Sequence, residues 1–142
     1  TTDSPPEPES VGRAGACILV VDDEPEFRAT LRDALTHYGL VVLEAIDGED
    51  ALRVYREHGH RIDLVVLDMS MPRLDGEGAF GELRRMDPAV RVLLTSGYTE
   101  RDATTRFAGK GLAGFVQKPF RLPDLIAHID RLLGGDGPAR GR

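Results

Sequence analysis

Apolar residues occur along this chain in two rhythms. Short segments at 16–21, 40–45, 64–67, 90–95 and 115–117 are rich in Val, Leu and Ile, interrupted only by Glu44, Arg91, Thr95 and Gln117, which predicts strands. Those at 16–21, 64–67 and 90–95 lack the alternation of a half-exposed strand and read as buried on both faces. Between the runs, apolar residues recur at helical spacing. Phe27, Leu31, Ala34, Leu35 and Tyr38 predict one helix. Ala51, Leu52 and Tyr55 predict a second, and Ala79, Phe80, Leu83 and Met86 a third. Residues 100–110 are weakly amphipathic around Phe107 and Ala108 and predict a fourth. Leu122, Leu125, Ile126, Ile129, Leu132 and Leu133 predict the last. Pro25 suits a first helical turn, while Gly39, Gly59, Asp87-Pro88 and Gly134-Gly135 are stop signals. Strand and helix alternate five times, which predicts a parallel α/β sheet covered on both faces through right-handed crossovers. A single domain is expected over 16–134, without internal repeats.

The flanks differ. Residues 1–15 carry Pro5, Pro6 and Pro8 among Glu, Ser and Thr with no apolar period, as in a linker or disordered arm. Residues 135–142 form a polar tail. The chain opens on Thr1 rather than Met, which fits a piece of something longer.

With 142 residues, 41% hydrophobic and 30% charged, the chain can build one core. A net charge of −6 argues against a general binder of nucleic acid or membrane surfaces. No apolar run approaches a membrane span, and no signal-peptide pattern is seen. Cys17 is the sole cysteine and falls inside the first apolar run, where it reads as a small core residue. A reducing, cytosolic setting fits. His37, His58, His60 and His128 lack metal-ligand spacing.

The carboxyl ends of the strands carry the candidate chemistry. Asp22 and Asp23 follow the first strand, Asp68 the third, Ser96 the fourth and Lys118 the fifth. In a parallel sheet these ends share one edge, the edge where open α/β sheets bind ligands. Three carboxylates brought together repel, so at least one should have a raised pKa unless a cation joins them. Carboxylate, carbonyl and water oxygens suit Mg²⁺. A lysine and a hydroxyl beside such an ion describe a phosphoryl site. The Gly-rich phosphate loops GxxxxGK[ST] and GxGxxG are absent. A carboxylate can attack phosphorus to form an aspartyl-phosphate. Asp68, alone at the end of the central strand, is the candidate nucleophile, and Asp22-Asp23 the candidate metal pair.

Taken singly, each residue has a plainer reading. Asp22 or Asp23 could cap the helix near Pro25. Ser96-Gly97 and Asp75-Gly76 could be turns, Phe115 core, and Lys118 (one of only two lysines) a solvated loop residue.

Taken together, Asp22-Asp23, Asp68 with Met71-Pro72 and Asp75-Gly76, Thr95-Ser96-Gly97, and Lys118-Pro119-Phe120 resemble the response-regulator receiver domain of two-component signalling. The resemblance covers 16–134. It implies a flavodoxin-like, doubly wound α/β fold, a five-stranded parallel sheet of order 2-1-3-4-5 with five helices. It implies a phosphorelay module in which Asp68, Lys118 and Ser96 are catalytic. Asp68 would take a phosphoryl group from a phosphohistidine on a histidine kinase or histidine phosphotransfer domain. Asp23, Asp68 and the Ser70 carbonyl would bind Mg²⁺ (or Mn²⁺), with Asp22 orienting metal-bound water. Lys118 would pair with one phosphoryl oxygen and Ser96 hydrogen-bond another. Gly97 would leave the phosphate reachable, and Phe115 matches the switch aromatic. A cytoplasmic location is implied, with no nucleic-acid or membrane contact by this domain and room for a phosphorylation-dependent dimer.

The wording of 93–98 and 107–111 is similar to receivers at the carboxyl end of hybrid sensor histidine kinases, the expected parent; a stand-alone regulator is the alternative. An aspartyl-phosphate phosphatase or phosphotransferase would need an acid two residues after Asp68, where Ser70 stands. A binding module that has lost phosphorylation would not need the full acidic set with Lys118.

Overall fold

The computed structural model of the chain describes residues 15–69, 75–97, 101 and 111–135. Five strands form one sheet: β1 (Cys17–Val21), β2 (Val41–Ala45), β3 (Leu64–Asp68), β4 (Val92–Ser96) and β5 (Gly114–Gln117). Their order is β2-β1-β3-β4-β5, and every pairing is parallel. Four α-helices lie among the described residues: α1 (Pro25–His37), α2 (Gly48–His58), α3 (Gly76–Met86) and α4 (Leu122–Asp130). The helix expected over 100–110 lies outside the described residues apart from Arg101, which is helical. So do nearly all of the amino-terminal arm and of the polar tail.

Successive side chains on a strand face opposite sides of the sheet, and this splits the core in two. Leu19, Val21, Val65, Leu67, Val92 and Leu94 meet Ala51, Val54 and Tyr55 of α2 and Ala79, Phe80 and Leu83 of α3. Ile18, Val20, Leu64, Val66, Leu93 and Val116 meet Leu31 and Leu35 of α1 and Leu125 and Ile129 of α4. Strands β1, β3 and β4 are buried at every residue, the polar Asp68, Thr95 and Ser96 at their carboxyl ends included. Cys17 is one of these core residues.

Local chemistry sets the helix ends. Asp47 and Asp75 cap α2 and α3, their carboxylates accepting from the Asp50 and Gly78 amides at 2.8 and 2.9 Å. Pro25 opens α1, where the missing N–H costs nothing. Gly39 follows α1 at φ 91°, a left-handed conformation that favours glycine.

Two expectations need correction. The run at 90–95 is not all strand: β4 starts at Val92, and Val90 is buried in the turn before it, its amide donating to the Asp87 carbonyl at 2.9 Å. Met86 is not on the inner face of α3 but 38% exposed. At that level the Tyr55 hydroxyl donates to Asp87 at 2.7 Å, and this pair ties α2 to the end of α3.

Candidate functional site

The parallel register carries the chemical residues to one edge. Val21 pairs with Ala45 and Leu67, Asp68 with Thr95, and Ser96 with Gln117. Asp22, the next residue along β1, therefore leaves the sheet beside Asp68, while Lys118 follows β5, two strands from β3, and its long side chain reaches back past β4 to Asp68. Asp22, Asp68 and Ser96 are buried, whereas Asp23 is exposed. One carboxylate oxygen from each of Asp22, Asp23 and Asp68 falls within 4.8 Å of the others. The Lys118 Nζ lies 3.0 Å from Asp68 Oδ1. The Lys118 amide donates to the Ser96 carbonyl at 2.6 Å, binding the end of β5 to that of β4. The Lys118-Pro119 peptide is cis.

Burial pushes the Asp22 carboxyl up to about 6, and the charges of Asp68 and Asp23 push the same way. The hydrogen bond from the Glu24 amide and the nearby Lys118 pull it back only in part. For Lys118, burial pulls the ammonium down. The hydrogen bond and charge of Asp68, aided by Asp22 and Glu24, outweigh it, so the pKa rises above the ordinary lysine value. Lys118 is therefore a fixed cation at neutral pH.

This edge suits a hard divalent cation. Its donors are all oxygens, three carboxylates converge, and Lys118 offsets only one of their charges. Ser70 lies outside the described residues. Asp22 does not cap α1: the capping position is Glu24, with no side-chain bond, and the Asp22 carboxylate instead accepts from the Glu24 amide two residues ahead at 2.9 Å. Phe115 is half-buried, paired with Leu94 on β4, and packs against the core under α2 and α3. A Cβ added to Gly97 would meet nothing within 4 Å, so packing does not demand glycine there. The four histidines are exposed or half-buried and are not members of this cluster.

Two features escaped the sequence reading. Asp75-Gly76 looks like a turn alone, yet a Cβ on Gly76 would lie 2.5 Å from Met69 Cα and 2.6 Å from the Asp68 carbonyl oxygen. Glycine thus lets α3 begin against the backbone of Asp68; the Asp-Gly pair was visible, the close approach was not. The second is a hollow of about 530 Å³ beside the carboxylates, lined by Asp22, Glu24, Phe27, Lys118, Pro119 and Phe120. The Phe27 and Phe120 rings meet there edge to face at 5.9 Å.

The family model described as the response regulator receiver domain matches residues 18–130. Sensor kinase CckA of Brucella abortus is 35% identical over 118 residues, 83% of this chain and 12% of that protein. Chemotaxis protein CheY of Bacillus subtilis is 32% identical over 82% of this chain and 96% of its own length. Response regulator protein TrrA of Thermotoga maritima, solved in complex with Mg²⁺-BeF, superposes with a TM-score of 0.72 at 31% identity, covering 82% of this chain and 98% of that one. The chain spans 12 to 49% of the length of the first five curated relatives it matches. The sheet order and these likenesses agree, and the chain belongs to the response regulator receiver family of two-component systems.

Proposed function

We propose that this domain accepts a phosphoryl group on Asp68 and changes conformation in response. The observation that carries the reading is the convergence of Asp22, Asp23 and Asp68 with the Lys118 ammonium 3.0 Å from Asp68 Oδ1. The donor is a phosphohistidine on a histidine kinase or histidine phosphotransfer domain. An Asp68 oxygen forms the new P–O bond as the N–P bond breaks, and the imidazole nitrogen keeps the electron pair. Lys118 moves from Asp68 to a phosphoryl oxygen, holding charge that would otherwise build up in a buried place. The Ser96 hydroxyl takes a second oxygen. Phe115, three residues before Lys118, follows the movement of Ser96.

Asp23, Asp68 and the Ser70 carbonyl would hold Mg²⁺, or Mn²⁺ in its place, and Asp22 would orient metal-bound water. When bound, the ion supplies charge neutralisation for the carboxylates and the incoming phosphate. The complex of TrrA with Mg²⁺-BeF supports this reading. A cytoplasmic location is proposed with it. No helix of the described residues is long and apolar enough to cross a membrane.

The likeness to CckA favours a hybrid sensor kinase as parent. The match to CheY over 96% of its length is equally compatible with a stand-alone regulator, the alternative. Incubation with Mg²⁺ and acetyl phosphate, followed by intact-mass measurement, tests the acceptor. Wild type should gain one phosphoryl group and Asp68→Asn none; stoichiometric labelling of the variant would refute the assignment.

A further inference from the structure

Asp22 is held at three points. Its amide donates to the Ala45 carbonyl at 3.2 Å, and its carboxylate accepts from the Glu24 amide at 2.9 Å. Its own carbonyl accepts from an Arg28 Nη at 2.8 Å. That carbonyl belongs to the peptide leading into Asp23. A peptide is planar, so fixing its oxygen fixes the direction in which the chain enters Asp23. Arg28 is fixed in turn: its Nε donates to Glu44 Oε1 at 3.1 Å, while Glu44 Oε2 takes Arg32 at 3.1 Å. Glu44 stands on β2 beside Ala45. The Arg28 side chain is 15% exposed and serves two acceptors from two edges of one rigid plane.

We propose that Arg28 is a positioning residue for the carboxylate pair. By holding the Asp22 carbonyl it keeps Asp23 where the divalent cation is bound, and Glu44 acts through Arg28. The inference rests on reading Asp22, Asp23 and Asp68 as a cation site. Three roles for Arg28 predict three different results. A guanidinium acting only through its charge repels a cation, so removing it would tighten binding. An ion pair serving only to dock α1 on β2 would lower thermal stability and leave affinity alone. A positioning residue weakens binding when removed, by about tenfold, as for partners that orient metal ligands.

Titration calorimetry of the 142-residue chain with MgCl₂, well below its melting temperature, separates these. Arg28→Met should raise the Mg²⁺ Kd about tenfold. Glu44→Gln should raise it less, and the double variant should match Arg28→Met, since Glu44 acts through that side chain. An unchanged or tighter Kd in folded Arg28→Met overturns the proposal. Should that variant not fold, Arg28→Lys replaces it: one ammonium cannot serve both acceptors, so Kd should still rise, and an unchanged value overturns the proposal. Asp23→Asn is the control. If it abolishes binding while Arg28→Met changes nothing, this inference fails and the cation site stands. If Asp23→Asn binds as wild type does, the cation site fails and this inference falls with it.

Discussion

Asp22→Asn should stabilise the metal-free domain at neutral pH and do nothing in acid. Asp22 is 2% exposed, and its carboxyl is raised from 3.8 to about 6 by burial first and then by Asp68 and Asp23. The folded state thus holds its proton more tightly than the unfolded chain does. Its favourable contribution is complete below the unfolded pKa and is lost as pH rises through the folded one. The window runs from about 4 to 7. About two pKa units at 1.36 kcal/mol each give a loss of at most about 3 kcal/mol. Asparagine keeps the oxygen that accepts from the Glu24 amide but never ionises. Urea unfolding by circular dichroism in EDTA, at steps between pH 4 and 7.5, measures the difference. The variant should match wild type at pH 4 and exceed it by up to about 3 kcal/mol at pH 7.5, or about 10 °C in Tm. A difference that stays flat across this range would show that Asp22 is not held protonated by its surroundings.

Mg²⁺ at a hundred times its Kd should stabilise wild type by about 2.7 kcal/mol, and thermal melts of Asp23→Ala should show most of that gain gone. Gly76→Ala forces a Cβ onto Met69 and the Asp68 carbonyl, so it should cost about 1–3 kcal/mol in urea and slow labelling by acetyl phosphate. Tyr55→Phe breaks the tie from α2 to Asp87 and should cost about 1–2 kcal/mol while leaving the labelling rate alone. Under a beryllofluoride phosphate mimic, amide shifts should spread from Asp68 through Ser96 to Phe115 in wild type. In Ser96→Ala they should stay near the carboxylates, and equal spread would remove the hydroxyl from the switch.

Much of this architecture could be read from the sequence because burial leaves a plain signature. Leu64-Val65-Val66-Leu67 has no polar residue because both faces of β3 are covered, and its period cannot be mistaken for a surface strand. Asp22, Asp68, Ser96 and Lys118 could be placed on one edge because parallel strands share their polarity. The contacts that cross between elements could not. Nothing in Arg28 or Glu44 says that the first, on α1, reaches both the second on β2, sixteen residues away, and the Asp22 carbonyl. Gly76 carries no mark of the backbone 2.5 Å away. Met86 has the spacing of an inward residue but falls where α3 ends and Tyr55 meets Asp87. Even the neighbours Asp22 and Asp23, identical in sequence, differ: one is buried and bonded to Glu24, the other faces solvent.

The central claim is that Asp68 carries the phosphoryl group. An acyl phosphate is reduced by borohydride to the alcohol, which turns an aspartyl-phosphate into homoserine. Wild-type protein treated with acetyl phosphate and Mg²⁺, reduced and digested, should yield homoserine at position 68 and nowhere else. Homoserine at 22 or 23, or its absence from a protein that has gained phosphoryl mass, would contradict the account.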